Sequence, residues 1–121
     1  MKFKPFLGIA AVLFFFACET AVYNHEDLIG AWKGAGWTLE DGESRPVEGL
    51  TFTFYETGSY EAGYGAGSEK GTFRLEGDKL YTTEEGKLEK MVKIVQLTPD
   101  TLAFEMNRMG TLEKMVLVRG E

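Results

Sequence analysis

Seven turn signals at near-even spacing divide the chain from residue 28 onward into eight short segments, and that punctuation constrains the fold more than any other feature. The signals are Asp41-Gly42, Thr57-Gly58, Gly65 to Ser68, Gly77-Asp78, Glu85-Gly86, Pro99-Asp100 and Met109-Gly110. Glycine supplies the positive φ that tight turns require, proline presets the first turn position, and aspartate bonds to the backbone beyond it. The segments between them run roughly over 28–40, 46–56, 59–64, 69–76, 79–84, 87–98, 101–108 and 111–119, all rich in β-branched or aromatic residues. Several alternate with a period of two. Leu50, Phe52 and Phe54 share one face of the second, Gly71, Phe73 and Leu75 one face of the fourth, and Leu102, Phe104 and Met106 one face of the seventh. Such alternation marks a half-buried antiparallel strand. Gly34 and Gly36, inside the long first segment, point to a bulge or sharp bend.

Short strands joined by tight turns without long crossovers favour a meander over a sandwich, and closing it removes the exposed edges. The expected fold is all-β, an eight-stranded up-and-down antiparallel barrel preceded by an N-terminal signal helix. A barrel of that size has room for packed side chains or for one small ligand. Leu88 to Val92 recurs as Leu112 to Val116, Leu-Glu-Lys-Met-Val in both places, a match too short for a repeat architecture.

The first residues set an expected destination. Lys2 and Lys4 precede an apolar run from Phe6 to Phe16, and Ala17 stands before Cys18, the chain's single cysteine. The run is too short to span a bilayer and has the layout of a secretory signal. A lone cysteine in an exported chain makes no internal disulfide, and here it stands where a bacterial lipoprotein is cut and acylated. The expected division is a signal peptide over 1–17, a polar tether over 18–26 and a barrel domain over 27–121. Glu19, in place of the aspartate linked to inner-membrane retention, favours an outer-membrane lipoprotein of the cell envelope. Cleavage would leave 11 basic and 19 acidic residues, a formal charge of −8. That charge repels phosphate backbones and argues against nucleic acid as a partner.

Reactive constellations are weak. His25-Glu26-Asp27 holds the only histidine, too little for a metal site, and reads as exposed tether. Glu84-Glu85 and Glu40-Asp41 fall at turns and read as solvated charge rather than as a glycosidase pair. The serines lack a nucleophile-elbow context. No cofactor is implied, and the chain reads as non-catalytic.

The aromatic residues carry the functional question. Trp37, Phe52, Phe54, Tyr60, Tyr64, Phe73, Tyr81 and Phe104 come from most of the strands and either fill the barrel or line an apolar pocket. Tyr60 and Tyr64 flank the glycine-rich tip on one face, which makes them candidates for a wet mouth. Arg74 and Lys90 are candidate partners for a ligand carboxylate, weighed against ordinary surface positions.

Leu28-Ile29-Gly30-Ala31-Trp32 opens the first strand and Arg119 closes the last. A Gly-x-Trp there, with an Arg at the end, resembles the lipocalin and wider calycin pattern. The Thr-Gly turn after Leu50 to Glu56, and Gly71-Thr72-Phe73 before Gly77-Asp78-Lys79-Leu80, extend the likeness. From about residue 27 to 120 the chain is similar to the small lipocalin-like domains of bacterial lipoproteins, especially those of Bacteroidota. For Gly30, Trp32 and Arg119 the resemblance implies a structural clamp. The chain lacks both the helix that follows the last strand of full lipocalins and the helical lid of fatty-acid-binding proteins, which argues against a large enclosed cavity. The expected function is membrane-tethered binding of a small apolar or amphipathic molecule at the end away from the clamp; the alternative is a filled barrel serving as a protein-interaction or envelope accessory module.

Overall fold

The structure, a computed structural model, describes residues 21–120; the signal segment and Cys18 lie outside the described residues. A single helical turn, α1 (His25–Leu28), leads into eight strands: β1 (Gly30–Leu39), β2 (Leu50–Phe54), β3 (Ser59–Tyr64), β4 (Ser68–Glu76), β5 (Lys79–Glu84), β6 (Glu89–Leu97), β7 (Thr101–Arg108) and β8 (Thr111–Arg119). Each strand pairs antiparallel with the next, and β8 returns to β1, closing the barrel. The expected meander is the observed one.

Two bulges set which side chains enter the barrel. Between Gly34 and Gly36 the β1–β8 register shifts by one residue, so Trp32, opposite Arg119, and Trp37, opposite Met115, both face inward despite their odd spacing. A second shift lies between Ile94 and Gln96 of β6. The two Leu-Glu-Lys-Met-Val stretches land in opposite phase. On β6, Lys90 and Val92 take the inner face, opposite Thr82 and Leu80, while Met91 is exposed. On β8 it is Glu113 and Met115 that are buried.

Where the sequence suggested a free tether, the chain is already packed. Tyr23 donates its backbone N–H to the Gly77 carbonyl at 3.1 Å, and the His25 ring stacks on Phe73 at 5.4 Å. Leu28 is fully buried, and its carbonyl accepts the Trp32 indole N–H at 2.9 Å. One turn of helix therefore plugs the end of the barrel where the chain enters. Above the plug, Trp32, Phe54, Tyr60, Phe73, Ile94, Leu102 and Leu117 fill the interior. Full burial of each large apolar side chain contributes about 1.5–3 kcal/mol.

Candidate functional site

The two ends of the barrel are built differently. At the plugged end, where β1 meets β8, the Arg119 guanidinium lies 3.8 Å over the Trp32 ring. It donates to the carbonyls of Pro99 (3.1 Å), Ile29 (2.9 Å) and Asp27 (3.3 Å). A planar fork of five N–H groups can satisfy several carbonyls while stacking on an indole, which lysine cannot do. Gly30 has φ +126°, and a Cβ there would stand 2.6 Å from Arg119 Nη1. These three residues lock the seam and leave no room for a ligand.

At the opposite end the interior is hollow. A cavity of about 520 Å³ opens between the tips of the hairpins, within the range typical of small-molecule sites. Its apolar wall is Phe52, Leu80, Val92, Phe104, Met106 and Met115, with Trp37 and Tyr64 toward the rim. Phe52 meets Phe104 edge-on at 6.1 Å and Tyr64 at 6.3 Å, a geometry that aromatic quadrupoles favour. A second hollow, about 540 Å³, runs along Thr51, Thr53, Glu61, Lys70 and Glu85. Its lining is hydrophilic and mostly from outward-facing positions, so it lacks the apolar surface that would hold a small molecule.

The candidate aromatic residues thus divide by level. Trp37, Phe52, Tyr64 and Phe104 line the cavity. Phe54, Tyr60 and Phe73 do not: they lie below it, where Phe54 packs on Phe73 at 5.0 Å and on Tyr60 at 6.3 Å. Tyr60 is 1% exposed, so only its hydroxyl reaches toward the mouth. The choice between a filled and a hollow barrel resolves along the axis, because the lower half needs these rings to exclude voids. Tyr81 faces outward beneath Arg74, whose guanidinium is 4.0 Å away and bonds to Glu76 and Glu89. Arg74 is a surface residue. Lys90 lines the cavity.

Inward carboxylates give the mouth its polarity: Glu84 continues the inward row of Leu80 and Thr82 opposite Gly71, and Glu69 and Glu113 bond to aromatic donors. Glu69 accepts hydrogen bonds from the hydroxyls of Tyr60 and, at 3.0 Å, Tyr64, with Lys90 Nζ at 3.8 Å. Burial, reinforced by that carboxylate, raises the pKa of Tyr60 and of Tyr64 above the ordinary phenol value. Glu113 is 4% exposed and accepts the Trp37 indole N–H at 2.8 Å. Arg45 and Arg108 stand 3.7 and 3.9 Å from its other oxygen. Sequence reasoning passed over Glu69, Glu113 and Arg108. Glu69 could have been found by extending the inward alternation of Phe73 and Gly71 one step, and Arg108 by extending that of Phe104 and Met106.

A family of lipocalin-like domains matches the chain over residues 28–104, from the plug through the middle of β7. The chain belongs to that family. Among solved structures, the lipocalin-like barrel is similar to a lipocalin-like protein from Bacteroides uniformis, with 18% identity, a TM-score of 0.64, and coverage of 78% of this chain and 99% of that one. An uncharacterized protein from Bacteroides eggerthii matches at 18% identity and TM-score 0.63, over 77% of this chain and 99% of that one. A redesigned β-barrel matches at 20% identity and TM-score 0.57, over 79% and 94%. At such identities the structural matches establish the fold. No match was found among curated proteins. Family membership places the chain with barrels of the ligand-binding kind.

Proposed function

We propose that this lipocalin-like protein is a non-catalytic carrier of a small apolar or amphipathic molecule, held in the open-end cavity and tethered to the outer membrane through acylated Cys18. The observation that carries the binding role is the half-hollow interior. Rings from β2 and β7, Phe52 and Phe104, leave a cavity of about 520 Å³ above them instead of closing it. Exposed apolar walls inside an otherwise close-packed fold are costly in water unless something covers them. Glu69 and Glu113 at the mouth are engaged by tyrosine and tryptophan donors, an arrangement that supports a built rim rather than an acid–base pair. The tether is supported by the sequence around Cys18 and by the chain entering the barrel at the plugged end, clear of the mouth.

Native mass spectrometry of the protein isolated from its own cells tests both parts. The expected mass exceeds the processed polypeptide by acyl groups and by a second species that denaturation releases. A protein carrying neither, whose cavity also takes up no apolar fluorescent probe, would overturn the proposal.

A further inference from the structure

We infer that the molecule held in this cavity carries an anionic head group, received by Lys90 of β6 and Arg108 of β7 above the apolar wall. This rests on the carrier reading and narrows it to a class of ligand. Hydrogen-bonding capacity at the mouth is unevenly used. Two carboxylates there have donors of their own: Glu69 has both tyrosine hydroxyls, and Glu113 has the Trp37 indole. The cations have no such partners. Among the described residues, neither Lys90 nor Arg108 donates a hydrogen bond through its side chain, and their nearest carboxylate oxygens stand at 3.8 and 3.9 Å. Those separations exceed hydrogen-bond length, and such loose, half-exposed pairs contribute little.

The placement of the two cations is also specific. Lys90 continues the inward row of Val92 and Ile94, and Arg108 continues that of Phe104 and Met106, so neighbouring strands each bring one cation to the top of the apolar wall. Water satisfies both groups when the cavity is empty. A ligand entering the mouth displaces the water on the cavity side of both groups, and an apolar or cationic head supplies no acceptor in its place. A carboxylate, sulfate or phosphate head supplies acceptors in the fork geometry that arginine favours. Glu69, Glu84 and Glu113 repel an anion, and Arg45, 3.7 Å from Glu113, and Lys87, 3.8 Å from Glu84, offset part of that field.

The test titrates the full chain, reconstituted in nanodiscs of neutral phosphatidylcholine, with octanoate, 1-octanol and octylamine, subtracting empty discs to remove partitioning. Octanoate is expected to bind about tenfold or more tighter than 1-octanol, with a preference that weakens in high salt. In a Lys90→Met/Arg108→Met variant the preference should vanish while 1-octanol binding is retained, which also reports that the barrel remains folded. Equal affinities, or octylamine binding tightest, overturn the inference and leave the carrier reading standing. A preference that survives the double substitution overturns the assignment to these two residues. Failure of all three probes to bind removes the carrier reading and the inference together.

Discussion

At the scale of single residues, Gly30 shows how little separates a closed seam from an open one. Its backbone sits in the left-handed region, and the Arg119 guanidinium fills the space a side chain would need. Gly30→Ala must strain the backbone or displace the arginine from Trp32 and the three carbonyls. An unfavourable φ costs about 1–3 kcal/mol, so urea unfolding should show a loss of at least about 2 kcal/mol once the displaced guanidinium is included. A loss below about 0.5 kcal/mol would mean that the clamp contributes nothing to closure. Tyr60 and Tyr64 give a second expectation at this scale. Burial and Glu69 keep both phenols neutral beyond the ordinary value of about 10. In the unfolded chain they ionise near that value, so above it the folded state holds more protons and stability falls as pH rises. Their contribution is complete below about pH 10 and is lost as the pH climbs toward the folded values. The double variant Tyr60→Phe/Tyr64→Phe should therefore lose less stability between about pH 9 and pH 11 than the parent; equal slopes in chemical denaturation would refute the assignment.

At the scale of elements, the β7–β8 hairpin is built on an unfavourable residue. Met109 has φ +56° and Gly110 φ +90°, the two positive values of a type I′ turn, between the paired residues Arg108 and Thr111. Asparagine tolerates that conformation far better than methionine, whose side chain is fully exposed here and packs on nothing. Met109→Asn should raise stability by about 1 kcal/mol, read as a higher denaturation midpoint with unchanged slope; a fall would show that the methionine makes contacts of its own. The same hairpin explains what the sequence could reveal and what it could not. Strands β2, β4 and β7 were legible because one face is apolar and the other polar. The β1 bulge was legible because its two glycines interrupt the row. The faces of β6 and β8 were not, because Lys-Met-Val offers apolar residues to both sides. The deciding factor is the turn: a two-residue turn pairs Thr111 with inward Arg108, whereas the longer β5–β6 connection pairs Glu89 with outward Thr83. The plug α1 was missed because a single turn has no period to detect, and the cavity because its size depends on which aromatic rings stand at which level.

At the scale of the whole molecule, the plug and the mouth fix an orientation. The described chain begins at Ala21, and Tyr23 is bonded beside the β4–β5 turn at the plugged end. Two residues, Glu19 and Thr20, stand between Cys18 and Ala21, three backbone steps with a reach of at most about 11 Å. With acylation at Cys18, as proposed, the plugged end is held close to the bilayer. The nine residues of β8, Thr111–Arg119, rise about 3.3 Å each and tilt by roughly 40° in a barrel of this kind. That lifts the mouth roughly 20–25 Å farther out, beyond the head groups, so a ligand would be received from the aqueous side or from a partner there. Reconstituted lipoprotein can test this with a fluorophore introduced at Met109, on the mouth, or at Thr57, on the β2–β3 turn at the plugged end. Energy transfer to acceptor-labelled head groups should be strong from Thr57 and several-fold weaker from Met109. Equal transfer from both sites would mean that the barrel lies on its side, and stronger transfer from Met109 would turn the mouth toward the membrane and make the bilayer the source of the ligand.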